Sequence, residues 1–178
     1  MFMDLITKRR SIRRFTADKV AEEKVELLKE AALRAPSSRG VNPWEFIFIT
    51  DRNLLVNLSA AKPHGSTFLK DASLGVVVCA DPEKSDVWVE DASITTIFIE
   101  LAATSLGLGS CWIQIRERMH DETQTAEAYI AHQLKIPSHL KVESMIAIGY
   151  PAEHKPPHTK EELQTEKVYL DQYSEKSS

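Results

Sequence analysis

Cysteine is scarce in this chain of 178 residues: Cys79 and Cys111 are the only two, too few for a disulfide framework. Both sit in apolar runs, at 76–79 and 111–113, and read as buried structural thiols. The six histidines, His64, His120, His132, His139, His154 and His158, show no metal-ligand spacing such as H-E-x-x-H. Positive charge is not in excess either. The formal net charge is −4, which speaks against nucleic acid as a general partner. No nucleophile elbow of the G-x-S-x-G type is present. No strand-borne glycine fingerprint occurs, because Gly107 and Gly109 lack a third glycine and follow a helical pattern rather than a strand. The longest apolar stretch, 92–108, is broken by Ser93, Thr95, Thr96, Glu100, Thr104 and Ser105, so it reads as a buried helix and not as a membrane span. The first ten residues carry no basic-then-apolar leader pattern, and the expected compartment is the cytoplasm.

What is present fits one globular domain with a tail. Hydrophobic residues make up 43% and charged residues 27%, enough for a core without disulfide or metal. Helical periodicity is expected near residues 2–9, then over 24–35, where Val25, Leu28 and Ala32 share one face before Pro36 stops the run. A strand is expected over 44–50 and a helix to Ala60 with Asp51 as its N-cap. A continuous apolar strand follows over 74–80. Residues 88–106 form the longest expected helix, apolar on nearly every face, so it should be covered on every side, one of them by a second subunit. Strands at 110–115 and 142–148, with a helix over 123–134 between them, complete the domain. The pattern is an α+β sandwich rather than a doubly wound sheet. Beyond Pro151 the chain turns proline-rich and then charged. The domain is placed at 1–160 and a C-terminal tail at 161–178, with Val168, Tyr169, Leu170 and Tyr173 able to grip a surface.

Four segments carry chemistry. Residues 8–14 hold five cations in seven residues, Lys8, Arg9, Arg10, Arg13 and Arg14, around Ser11. Arginine forks suit a phosphate, although cations also gather at any helix C-terminus. Residues 35–46 place Pro36, Ser37, Ser38, Gly40 and Asn42 in a proline-fixed loop before a strand. Residues 106–113 contain Leu108 and Gly109, where missing side chains permit close approach of a flat ring. Residues 149–160 end in His158 and Lys160, either of which could return to a phosphate.

In order and spacing, R-R-S-x-R-x-F at 9–15, A-P-S-S-x-x-x-x-P-W-x-F at 35–46, L-G-L-G-S-C-W at 106–112 and G-Y-P-A-E at 149–153 resemble the FMN-dependent nitroreductase family in its short form. The resemblance implies a mainly antiparallel sheet flanked by helices, in an intertwined homodimer with two FMN sites at the interface. It implies that Arg9, Arg10, Ser11 and Arg13 grip the phosphate and ribityl chain. Pro36, Ser37 and Ser38 would come from the other subunit, Leu108 and Gly109 would give backbone contacts near the ring, and Lys160 would complete the phosphate site. Many relatives have Asn where Gly40 stands and Gln where Asn42 stands, so Asn42 is expected to take over a contact at the ring edge. The implied activity is hydride transfer from NADH or NADPH through FMN to a small electron-poor acceptor, a nitroaromatic or quinone, by a ping-pong cycle with no catalytic side chain. The alternatives are a flavin storage or sensing protein and a specialised reductase or dehalogenase on the same site.

Overall fold

Four antiparallel strands organise the chain. They are β1 (Trp44–Ile49), β2 (Leu74–Ala80), β3 (Gly109–Gln114) and β4 (Lys141–Gly149), in the order β1-β2-β4-β3. The computed structural model describes residues 1–173, so the end of the expected tail, 174–178, lies outside the described residues. Around the sheet pack α1 (Phe2–Lys8), α2 (Glu22–Leu33), α3 (Arg52–Ser59), α4 (Trp88–Ser105) and α5 (Ala126–Leu134). The architecture is the α+β, mainly antiparallel sandwich expected from the sequence.

Both faces of the sheet are covered, which is why β2 is buried at all seven positions. Its side chains alternate between two cores. Val77 and Cys79 join Leu55, Leu58 and Ile130 on the α3 and α5 side. Leu74, Val76 and Val78 join Leu28, Ile99 and Ala103 on the α2 and α4 side. Asp51 caps α3 as expected, accepting from the N–H groups of Asn53 and Leu54. Two helices are shorter or shifted. The second begins at Glu22 and ends at Leu33, with Arg34 as its C-cap still in the helical region. The expected helix over 123–134 begins only at Ala126: Asp121 accepts from the amides of Thr123 and Gln124 and holds that stretch in a turn, leaving Thr125 to cap.

Helix α4 is inverted relative to an ordinary surface helix. Its buried positions include Asp91, Thr95, Thr96 and Glu100, while Ile94, Ile97 and Phe98 are 40%, 43% and 40% exposed. The inward polar groups are used. Thr95 Oγ1 donates to the Ala32 carbonyl at 2.9 Å and Thr96 Oγ1 meets Ser144 Oγ at 3.2 Å, tying α4 to α2 and to β4. The outward apolar stripe has no cover in one subunit. Beside it, Phe2, Met3 and Ile6 of α1 are exposed as well.

Candidate flavin site

The basic segment after α1 is not a loose end. Ile12 N–H donates to the Ser110 carbonyl at 2.8 Å, Thr16 N–H to the Tyr150 carbonyl at 2.9 Å, and Ala152 N–H to the Arg14 carbonyl at 2.9 Å. Residues 11–16 thus cross the paired ends of β3 and β4 as an extended arm. The arm needs a seat without side chains. Gly109 and Gly149 are register partners across β3 and β4. A Cβ on Gly109 would stand 2.8 Å from Ile12 Cβ, and one on Gly149 would stand 3.0 Å from the Phe15 ring. The sequence suggested that Gly109 leaves room for a ring. The structure gives the space on its side-chain face to Ile12.

Glu153 fastens the arm from the other side. Its Oε1 accepts from Arg13 N–H at 2.6 Å and from Arg14 N–H at 3.3 Å. Lys155 Nζ lies 3.4 Å from the same carboxylate and donates to the Ser11 carbonyl at 2.6 Å. These contacts, the Arg13 amide first, hold the Glu153 carboxyl below its ordinary value of 4.5. A carboxyl titrating lower in the native state stabilises fully above 4.5, and the contribution is lost as pH falls through the native value. Glu153→Gln is therefore expected to lower the melting midpoint by about 1–3 °C at pH 7. The gap to the parent protein should close in acid, which thermal melts at stepped pH would check; a gap that persists in acid would show that the carboxylate charge is not its source.

Beside the arm lies a cavity of about 450 Å³ lined by Arg9, Arg10, Gly107, Leu108, Gly109 and Lys155, among others. Arg10 donates to the Pro156 carbonyl at its rim. Below it, Glu100 is 3% exposed and accepts from Ser110 Oγ at 3.1 Å. Burial raises its pKa, with Arg9 opposing. Gly107 has φ +72 with open space around it, a conformation that favours glycine. Arg9, Arg10, Leu108 and Gly109 thus meet around one concave, cation-walled space, with Ser11 on the arm beside it. The donor set suits a phosphate on a short polyol chain: forked guanidiniums and an ammonium, and a main chain free of side-chain bulk at Gly107. Arg13 points elsewhere, its guanidinium carbon 5.6 Å above the Phe68 ring.

The proline–serine loop does not join them. Ser38 N–H donates to Asp91 Oδ1 at 2.7 Å, and Ser85 Oγ donates to Asp91 Oδ2 at 2.9 Å, which places the loop at the N-terminal end of α4. The arginine arm lies toward the C-terminal end, where Arg9 acts on Glu100 and shares a cavity with Thr104, about 14–20 Å of helix beyond Asp91. Pro36, Ser37, Ser38, Gly40 and Asn42 therefore stand apart from Arg9 in the same subunit. Arg39, Gly40 and Asn42 have φ of 54°, 66° and 52°. Glycine and asparagine both tolerate this region, which accounts for Gly40 where Asn is common. Asn42 Oδ1 accepts from Ser37 Oγ at 2.7 Å, leaving its amide nitrogen as the group able to reach a ligand.

Lys160 sits exposed in a short 3-10 turn (Lys160–Glu162), and His158 faces Glu162 at 3.1 Å. Lys155, not Lys160, lines the cavity in this subunit. His64 is exposed on its loop. Gly149, Glu153 and Lys155 fell within the 149–160 segment but were given no role there, and Asp91 was not singled out, although it carried a visible signal as an acid within an apolar helix. Among the described residues no group of His, Cys, Asp and Glu is arranged to hold a metal, and no helix is long and apolar enough to cross a membrane.

A four-stranded antiparallel sheet with an arginine arm seated on paired glycines defines a known class. The nitroreductase family profile matches residues 6–62 and 60–150, and the chain belongs to that family. The structure superposes with a TM-score of 0.95 on the FMN-dependent nitroreductase of Clostridium difficile R20291, which is 46% identical, over 96% of this chain and 99% of that one. A protein of Archaeoglobus fulgidus provisionally named NADH dehydrogenase/NAD(P)H nitroreductase is 38% identical over 157 residues, 86% of this chain and 87% of its own length. The NADH dehydrogenase of Thermus thermophilus is 26% identical over 82% of this chain and 84% of its own.

Proposed function

We propose that this nitroreductase-family oxidoreductase works as a homodimer with two FMN sites, each joining the arginine arm of one subunit to the proline–serine loop of the other. The separation of these two half-sites along α4 is the observation that carries the reading. The outward stripe of Ile94, Ile97 and Phe98 supplies the surface on which a second copy would seat. The exposed tail over 161–173, with Leu163, Val168, Leu170 and Tyr173 uncovered, would pack on that copy.

Arg9, Arg10, Ser11 and Lys155 would hold the phosphate end. Leu108 and Gly109 would offer main chain, Pro36, Ser37, Ser38, Gly40 and Asn42 would close over from the partner, and Arg13 would face the ring end. Lys160 could reach a site only after the tail has settled on the partner. FMN held there would supply the two-electron chemistry for hydride transfer from NADH or NADPH to an electron-poor acceptor such as a nitroaromatic or quinone, in two separate half-reactions. The chain's own groups bind, orient and exclude water. No side chain is assigned as acid or nucleophile.

The visible spectrum of the purified protein tests this. A flavin band that bleaches under anaerobic NADH or NADPH and returns with acceptor is the expected result. A flavin band that stays would replace turnover with storage or sensing. A colourless protein that refuses added FMN would overturn the reading.

A further inference from the structure

Asp91 is buried for a reason that α4 itself does not supply. It stands in the first turn of that helix, where an acid is favoured by the N-terminal end. Glu90 beside it meets that preference from an exposed position, whereas Asp91 is 2% exposed. Burying a carboxylate costs free energy unless hydrogen bonds replace the water it loses. Its two oxygens find those bonds in two different segments. Oδ2 accepts from Ser85 Oγ at 2.9 Å, and Ser85 is itself buried. Oδ1 accepts from Ser38 N–H at 2.7 Å, 53 positions earlier in the chain. The first bond fixes the carboxyl plane, and the second uses it to hold the proline–serine loop.

That loop needs holding. Arg39, Gly40 and Asn42 all lie in the left-handed region, which for Arg39 costs about 1–2 kcal/mol. Within the loop, Ser37 Oγ accepts from Asn42 N–H at 2.8 Å and donates to Asn42 Oδ1 at 2.7 Å. These bonds close the loop on itself and fasten it to no other element. Arg39 pairs with Asp86 at 2.7 Å, but both side chains are exposed, and such a pair contributes little. The bond from Ser38 to the buried Asp91 ties the loop to α4. Ile94, Ile97 and Phe98 follow on the same helix within two turns, so the loop is fastened to the element that carries the uncovered apolar stripe.

We infer that Asp91 is a positioning residue for the flavin site, holding residues 37–42 in the shape in which Ser37, Ser38 and Asn42 meet the FMN of the other subunit. This rests on the proposed function and adds to it a residue that acts without touching the ligand. Binding groups must be held to fractions of an ångström by the residues behind them, so Asp91 acts on affinity through Ser38. The defect of an Asp91 variant therefore falls on the site built around its partner's arginine arm, and not on the site built around its own.

The test is FMN titration of purified dimers. Asp91→Leu keeps the size of the side chain and offers no acceptor, while Asp91→Asn keeps an oxygen for Ser38. Asp91→Leu is expected to weaken FMN at least about tenfold, and Asp91→Asn to stay within about threefold of the parent. If the Asp91→Leu chain does not fold, Ser85→Ala, which frees the carboxyl plane, takes its place with an expected loss of about threefold. Mixed dimers then locate the defect. With Asp91→Leu in one subunit and Arg9→Ala plus Arg10→Ala in the other, one site joins an intact arm to an intact loop and should hold one FMN at parental affinity, although both homodimers are weak. A homodimer of the Asp91→Leu chain that binds FMN like the parent overturns the inference and leaves the function standing. Two weak sites in a dimer of Asp91→Leu with a parent subunit do the same, because Asp91 would then support the subunit as a whole. One good site in that dimer, but none in the dimer with Arg9→Ala and Arg10→Ala, would put the arm and loop of one subunit together and overturn both.

Discussion

Ile97→Asp in α4 is expected to separate the protein into subunits that no longer retain FMN. The side chain is 43% exposed in one subunit and stands in an apolar stripe with Ile94 and Phe98, so the carboxylate costs little in an isolated chain. Within an interface it would be a buried, unpaired charge, the kind of change that costs several kcal/mol. Because Ser38 is tied to Asp91 at one end of α4 and Arg9 stands near Glu100 close to the other, a lone subunit would offer only half of the contacts of the proposed site. FMN affinity should fall by about 100-fold or more, equivalent to about 3 kcal/mol. Sedimentation with and without FMN would measure both quantities together. A variant that is monomeric yet binds FMN as tightly as the parent would show that one subunit suffices, and the two-subunit site would have to be abandoned.

Gly109→Val is expected to have the second largest effect, through a different route. A Cβ at this position would already stand 2.8 Å from both Cβ and Cγ2 of Ile12, and valine adds two methyl groups. Ile12 is itself buried and hydrogen-bonded to Ser110, so it cannot yield without lifting the arm. Overpacking of this kind costs about 1–3 kcal/mol. The larger consequence is positional, since Arg9, Arg10 and Ser11 ride on the same arm and a shift of 1 Å spoils a forked contact. FMN affinity should drop by at least tenfold, about 1.4 kcal/mol, while the sheet stays folded. Gly107→Ala is the informative companion. It meets open space and is burdened only by its φ of +72, so a modest loss of stability of about 1 kcal/mol is expected there. If Gly109→Val bound FMN normally, the arm would not be the phosphate grip.

Much of this architecture is legible from local pattern. The unbroken apolar run of β2 announced a strand covered on both faces, and the apolar excess of α4 announced a helix needing cover on its outward side. Pattern went astray where short-range hydrogen bonds outbid periodicity, as at Asp121, whose carboxylate keeps 123–125 out of α5. The grip residues Arg9, Arg10, Leu108 and Gly109 were found because they fall in compact motifs. Glu153 fell in a motif too, but its role and that of Lys155 were not legible, since they exist only against Arg13, Arg14 and Ser11, some 140 residues earlier.

The same long-range tie has a consequence for the order of events in the life of the molecule. Arg13 and Glu153 are separated by 140 positions, so the earlier of the two leaves the ribosome well before the later one. Loop closure over such a span comes late, after the local elements have formed, and at about 5–20 residues per second the wait is of order ten seconds. Until then the arginines have no seat and the half-site has no floor. At the proposed site, cofactor capture is therefore expected as a finishing step that follows completion of the sheet.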